Sequence, residues 1–448
     1  MPLPAVAASP EPSPPSPPAV GRVDSIDLLR GIVMVIMMLD HTRDFVHRDI
    51  LQGFDPTDLS RTHVVLFFTR WITHFCAPVF VFLAGTSVYL QWARGKSKSE
   101  LSRFLFKRGL WLVVLEFTAV RFFIFFHFDY RFMGAAQVIW VIGVSMILLA
   151  LLIHLPLRLV AAFGVGMIFL HNLLDGIRVQ GWQGPESPVP GVWSKLWIVL
   201  HQPFEAMPVD GFPSPVVFVV YPIIPWVGVM AAGYAFGVLY RMDAGRRRKL
   251  LIIMGSVATA LFVVLRLINR YGDPSRWSRQ DSWAFTLLSF LNTTKYPPSL
   301  LFLLMTLGPA MVLLAWIEAN EAGLRDRSRS FAGWIRSFFI TFGRVPLFFY
   351  LLQWLTAHLI AAVLHWAAGK PVGWMFSSQV MLGGPPPGVG FNLAVVYACW
   401  IVGIILLYPL CKWFAGVKAR RRNWWLSYFV VQSTLNGPRG ARSLAPWL

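Results

Sequence analysis

Apolar residues in this chain come in runs of about 20 separated by short polar connectors, and a helix of that length crosses a bilayer. The pattern predicts about ten spans, at 26–45, 64–92, 104–126, 135–153, 157–174, 216–240, 249–268, 297–317, 338–365 and 391–414. The second and ninth are longer than a flat crossing needs, which tilt or a kink accommodates, and Pro78 supplies a kink in the second. The expected fold class is all-α integral membrane, a polytopic bundle built around a membrane domain over 22–416. Before it, residues 1–21 are rich in Pro, Ala and Ser and lack an apolar core, which reads as a disordered tail without a cleavable signal. Residues 417–448 read as a basic cytoplasmic tail.

Composition agrees with the pattern. Of 448 residues, 56% are hydrophobic and 14% charged, where a soluble chain would carry about 25% charge. The net charge of +19 has a simple source, because most Lys and Arg lie in connectors. Arg94 to Arg108 follow the second span, Arg241 to Lys249 lie between the sixth and seventh, Arg325 to Arg336 between the eighth and ninth, and Lys418 to Arg422 in the tail. The alternate connectors are poorer in cations, and this bias places both termini in the cytoplasm. No basic stretch carries a recognition motif, so nucleic acid is not an expected partner. Cys76, Cys399 and Cys411 lie in or beside spans and read as packing residues, and no metal is expected. The long connectors 175–215, 269–295 and 366–390 fall on the outer side and are expected to fold over the mouth of the domain. The chain shows no internal repeat, which argues against an inverted-repeat transporter.

The first span, SIDLLRGIVMVIMMLDHTRDF, places charge where charge is expensive. At 100° per residue Arg30, Met34, Met37, His41 and Asp44 share a face, with Arg30 and His41 roughly 16 Å apart along the axis. Ionisable groups facing lipid cost at least ~2.5 kcal/mol each, so this face must look into protein or water. His41 is a candidate base or transient acyl carrier, with Asp40 or Asp44 to orient it. Arg30 either holds an anionic donor or anchors the helix at the cytoplasmic surface. In the second span Arg70, His74 and Pro78 follow at four-residue spacing, and an antiparallel hairpin of spans one and two brings His74 to the depth of His41. His74 is thus a second candidate catalytic group and Arg70 a second donor contact. Arg43, Asp44, Gln137, Lys295, Tyr296 and His358 are candidate acceptor contacts near the outer face. Lys295 stands out because a cation at a helix start opposes the helix dipole.

Six stretches together carry a resemblance: RVDSIDLLRGIVMVIMMLDHTRDF, THFCAPVFVFLAGTS, GAAQ, YPIIPWVGVMAAGYAFG, TTKYPPSLLFLLMTLGP and FGRVPLFFYLLQ. They resemble the bacterial branch of the heparan-α-glucosaminide N-acetyltransferase catalytic-domain family, over about Arg22 to Lys412. The spacing of Arg30 and His41 is also similar to the Arg-and-His signature of acyltransferase family 3. The resemblance implies a transmembrane acyltransferase, in the inner membrane of a bacterium, taking an acyl group from cytoplasmic acyl-CoA, typically acetyl-CoA. The acceptor it implies is a sugar of a cell-envelope glycan or a lipid-linked precursor. Aligned on the proline of the second helix, His63 falls within one residue of the place where the animal lysosomal enzyme carries its reactive histidine, which makes it an alternative nucleophile. A proton-coupled transporter with a His/Asp relay and a scaffold subunit of an envelope complex are the rival classes. Homo-oligomers are compatible with all three.

Overall fold

A computed structural model of the chain describes residues 23–209, 215–326, 330–377 and 384–420. The N-terminal tail 1–21, Arg327, Arg329 and the C-terminal stretch from Arg421 lie outside the described residues.

Helix α1, Asp24–Val46, is the axis of the molecule. It packs against the helices named below as α2, α10, α11, α12 and α13, which leaves most of its 23 residues buried. Its charges therefore do not meet lipid. Helix α2, Val64–Ala93, runs back beside it and tightens to a 3₁₀ turn over Ile72–Phe75. The cause is local: Pro78 has no N–H to give to the carbonyl of His74, and its ring crowds that carbonyl. Helix α3, Lys98–Leu115, opens with a reciprocal cap between Ser97 and Glu100 and passes through a π turn, Glu116–Val120. It pairs with α4, Val138–Leu152.

Helices α5, Leu157–Leu170, and α6, Val192–Leu200, lead into a small cap. The cap contains three strands: β1 Phe132–Ala136, β2 Glu205–Pro208 and β3 Val216–Val219. Their order is β1-β3-β2, with β3 parallel to β1 and antiparallel to β2. Helix α7, Trp226–Phe236, then packs between α2 and α5. Helix α8, Ala244–Ile268, pairs with α10, Leu300–Asp326, and α9, Trp283–Leu291, is a short helix of the cap. Helices α11, Phe331–Arg344, α12, Pro346–Ala367, and α13, Leu393–Arg420, close the ring around α1.

Small residues set the closest approaches. A methyl group on Gly31 would lie 1.8 Å from the carbonyl oxygen of Phe339, and one on Gly343 would lie 1.8 Å from that of Asp27, so α1 and α11 touch backbone to backbone. Gly85 lets α2 and α7 approach as closely, since a Cβ there would sit 2.0 Å from the Met230 carbonyl oxygen of α7.

Among the described residues six helices are long and apolar enough to cross a membrane. The architecture is that of a helical membrane protein, and several predicted spans differ from it in detail. The run 216–240 is not one helix, because Pro222 and Pro225 stop a helix and the valines before them enter the sheet. The run 338–365 divides at Pro346, where α11 ends and α12 begins. The run 135–153 contributes a helix of 15 residues, shorter than a flat crossing.

Candidate active site

The charged last turns of α1 face a cavity of about 530 Å³. Met37, Asp40, His41, Arg43 and Asp44 form one wall, and Arg70, Thr73 and His74 of α2 face them. At the cap end the wall is made by Asp55 to Thr57, Phe204 and the strap Asn292 to Tyr296. At the opposite end the cavity reaches Arg108 and Leu112 of α3, Met146 of α4 and Pro346, the first residue of α12. Trp354 lies eight residues further along α12, so the void extends at least about 12 Å along that helix.

Asp40 is the hub of the charges. Nη1 of Arg70 lies 2.7 Å from its Oδ1 and 2.6 Å from its Oδ2. Nη2 of Arg43 lies 2.8 Å from Oδ1, Oγ1 of Thr73 donates at 3.0 Å, and Nζ of Lys295 stands 3.8 Å from Oδ2. Arg43 also bonds Asp44 at 2.7 Å. Three cations thus meet two carboxylates, which leaves the wall electropositive while each buried charge keeps a partner. The oxygens of Asp40 are engaged by Arg70, Arg43 and Thr73 rather than by His41. Arg70 keeps its place on the cavity wall with its Nη1 bound to Asp40.

His41 is in the opposite condition. Its ring rests on Trp354 with centroids 3.6 Å apart and meets the edge of Tyr350 at 6.4 Å. Neither ring nitrogen has a hydrogen-bond partner among the described residues. Buried polar atoms are usually paired, so two orphaned nitrogens on the wall of a cavity mark a group waiting for a ligand. Nε and Nη1 of Arg43 are likewise without partners among the described residues.

The remaining sequence candidates divide. His74, Gln137, Lys295 and Tyr296 line the cavity with His41. Lys295 does not oppose a helix dipole, because α10 begins only at Leu300, where Ser299 caps it by accepting from the N–H of Phe302 at 3.0 Å. Nζ of Lys295 lies 5.1 Å over the Tyr296 ring. Arg30 does not line the cavity: it bonds Asp27 at 3.0 Å, Ser87 at 3.0 Å and the carbonyl of Gly343 at 3.4 Å. His63 is exposed, and its Nδ1 caps α2 by accepting from the N–H of Leu66 at 3.3 Å. His358 faces Phe45 and Phe126, with its Nδ1 at 2.9 Å from the carbonyl of Ile124.

Three features escaped the sequence reading. Arg108 reads there as a connector charge, yet it is buried and lines the cavity. The signal was available: Leu101, Leu105, Arg108 and Leu112 recur at three- and four-residue intervals, so Arg108 shares the buried face of α3. Tyr350 and Trp354 of α12, which hold His41, lie in an apolar run with nothing local to distinguish them. Under the cap, His171, Asp175 and His201 gather one ligand atom each within 4.8 Å of one another. Burial and the nearby Arg178 push the pKa of His201 down to about 4. No local motif joins His201 to His171 and Asp175, which lie 30 and 26 residues before it.

No curated protein matches the chain. A family model for the catalytic region of heparan-alpha-glucosaminide N-acetyltransferase matches residues 22–269. The match includes α1, α2, Arg108 and Gln137, and it ends before the strap at Asn292 to Tyr296 and before α12. It is shorter than the resemblance read from the sequence motifs, but it covers more than half of the chain. With its membrane-length helices and its buried polar cavity, this chain belongs to the heparan-alpha-glucosaminide N-acetyltransferase catalytic family.

Proposed function

We propose that this protein is a membrane acyltransferase that moves an acetyl group from acetyl-CoA, bound from the cytoplasmic side, to a sugar of an envelope glycan or its lipid-linked precursor. The membrane is the inner membrane of a bacterium, with both termini in the cytoplasm and the cap outside. One observation carries the reading: His41, with two buried ring nitrogens that have no partner among the described residues, lines a cavity that extends from the first residue of α12 to the cap. Family membership supports the reaction class.

His41 acts as the base. It takes the proton from the acceptor hydroxyl or amine as that oxygen or nitrogen attacks the thioester carbonyl. The new C–O or C–N bond forms, the C–S bond breaks, and the proton on His41 passes to the departing coenzyme A sulfur. Trp354 packs against the imidazole at an interplanar angle of 45° and fixes its position, and burial keeps water from competing for the thioester. The open N–H groups of Arg43 are suited to the oxygen that becomes negative in the transition state. Lys295 and Tyr296, from the strap, meet the acceptor. Arg108 takes over the donor-side role expected of Arg30, because it lies on the cavity wall whereas Arg30 is enclosed between helices.

The test uses membranes carrying the intact chain and acetyl-CoA labelled in the acetyl group. Label should accumulate in an envelope sugar as free coenzyme A appears, and His41→Ala should stop both. If neither glycan nor coenzyme A signal rises above membranes lacking the protein, acetyl transfer is wrong. Proteoliposome uptake that follows a pH gradient without acyl-CoA would then favour the transporter.

A further inference from the structure

The cluster under the cap stands apart from the His41 cavity. His171 sits in the turn that follows α5, Asp175 ends that turn, and His201 ends α6. Both histidines are buried, at 3% exposure each. Nδ1 of His171 is 3.4 Å from Nε2 of His201, and that same Nε2 is 3.9 Å from Oδ1 of Asp175. A tetrahedral zinc ion with bonds of about 2.0–2.1 Å requires ligand atoms roughly 3.3 Å apart. The two imidazoles already meet that spacing, and since the three ligand atoms lie within 4.8 Å of one another the carboxylate needs to close by about half an ångström on His201 and by no more than about 1.5 Å on His171.

The surroundings fit a ligand set. Nδ2 of Asn172 donates to Oδ2 of Asp175 at 2.8 Å, which turns Oδ1 towards the histidines. Oδ1 of Asn172 is itself fixed by the N–H of Leu300 at 2.9 Å. Hydrogen bonds of this kind orient the ligands of metal centres. The other ring nitrogen of His171, Nε2, is buried with no partner among the described residues. A cavity of about 40 Å³ beside Asp175 and His201 has room for a water as fourth ligand. Arg178 also lines that cavity and opposes a cation there, but its side chain is exposed and can turn to solvent.

We propose that His171, Asp175 and His201 bind a divalent transition metal, zinc by ligand type, that staples the cap to the end of α5. Two imidazoles and a carboxylate suit zinc better than calcium or magnesium, which prefer oxygen. Thr294 and Tyr296 line both this small cavity and the main one, so the staple also steadies the strap that borders the His41 cavity. The proposal does not depend on acyl transfer, and metal content is measured without substrate.

The experiment uses the full chain, freed of any histidine tag, equilibrated with zinc in detergent and desalted. Elemental analysis should find about one zinc per chain. Chelation should lower the melting temperature by at least ~3 °C, and zinc should restore it. His201→Gln and Asp175→Asn should hold almost no zinc and melt identically with and without chelator, while Arg178→Gln should bind more tightly. Should a variant fail to fold, cobalt loading of the wild-type chain decides, since a nitrogen and oxygen site gives visible bands absent from free cobalt. Wild-type protein that retains no zinc, or a melting temperature indifferent to chelator, overturns the site.

Discussion

The two ends of α1 hold nearly the same kinds of residue and do opposite things. At its N-terminal end Asp24, Asp27 and Arg30 are all spoken for. Arg336 bonds Asp24 at 2.8 Å, and Arg30 bonds Asp27, Ser87 and the Gly343 carbonyl. The close glycine contact brings the backbones of α1 and α11 together there. At its C-terminal end Asp40 and Arg70 are equally well paired, but they surround a cavity, and His41 beside them has no polar partner among the described residues. Charge in a membrane helix therefore marks a place that must be protein-lined, and packing decides whether that place is a clamp or a site.

Substitutions at the two ends should separate cleanly. The largest effect on transfer belongs to His41→Ala, which should lower the rate by about 100-fold or more. It should lower the melting temperature of the solubilised protein less than Arg30→Ala does, because ring contacts with Trp354 and Tyr350 are given up but no hydrogen bond or ion pair is lost. Arg30→Ala should do the reverse. Removing one partner of a buried ion pair costs about 3–5 kcal/mol, visible as a lower melting temperature and poorer recovery of monodisperse protein, with the rate per folded molecule retained. Arg70→Ala should show both effects in reduced form, about 1–3 kcal/mol of stability with a several-fold loss of rate, because Asp40 keeps Arg43 and Thr73. The smallest change is expected from Lys295→Ala. Its 3.8 Å contact is long, so stability should fall by no more than about 1 kcal/mol, and the rate should fall mainly at low acceptor concentration. A Lys295→Ala protein that loses stability like Arg30→Ala would place the strap among the clamps.

Much of this was legible in the sequence, and its limits have physical causes. The polar face of α1 follows from helical periodicity and the cost of charge in lipid, and the hairpin of the first two spans puts His41 and His74 on one cavity. The same periodicity includes Arg30, since it cannot tell which part of a face meets a void. Backbone contact between α1 and α11 decides that, and it depends on Gly31 and Gly343, which are 312 residues apart. The run 216–240 misleads because hydropathy ignores Pro222 and Pro225, which keep its first part out of a helix and leave it as the central strand of the sheet. Arg108 was lost to a count of connector charges, although its leucine neighbours place it inside. Tyr350 and Trp354 carry no local signal at all, because aromatic residues in an apolar helix look alike until a neighbour selects one face.

The most direct measurement compares the two ends of α1 in one assay. Coenzyme A release from acetyl-CoA is followed for wild-type, His41→Ala and Arg30→Ala, each normalised to the amount of monodisperse protein recovered. The account predicts near-background release for His41→Ala and release close to wild-type for Arg30→Ala. Equal rates for wild-type and His41→Ala, or a folded Arg30→Ala that is as inactive as His41→Ala, would contradict it.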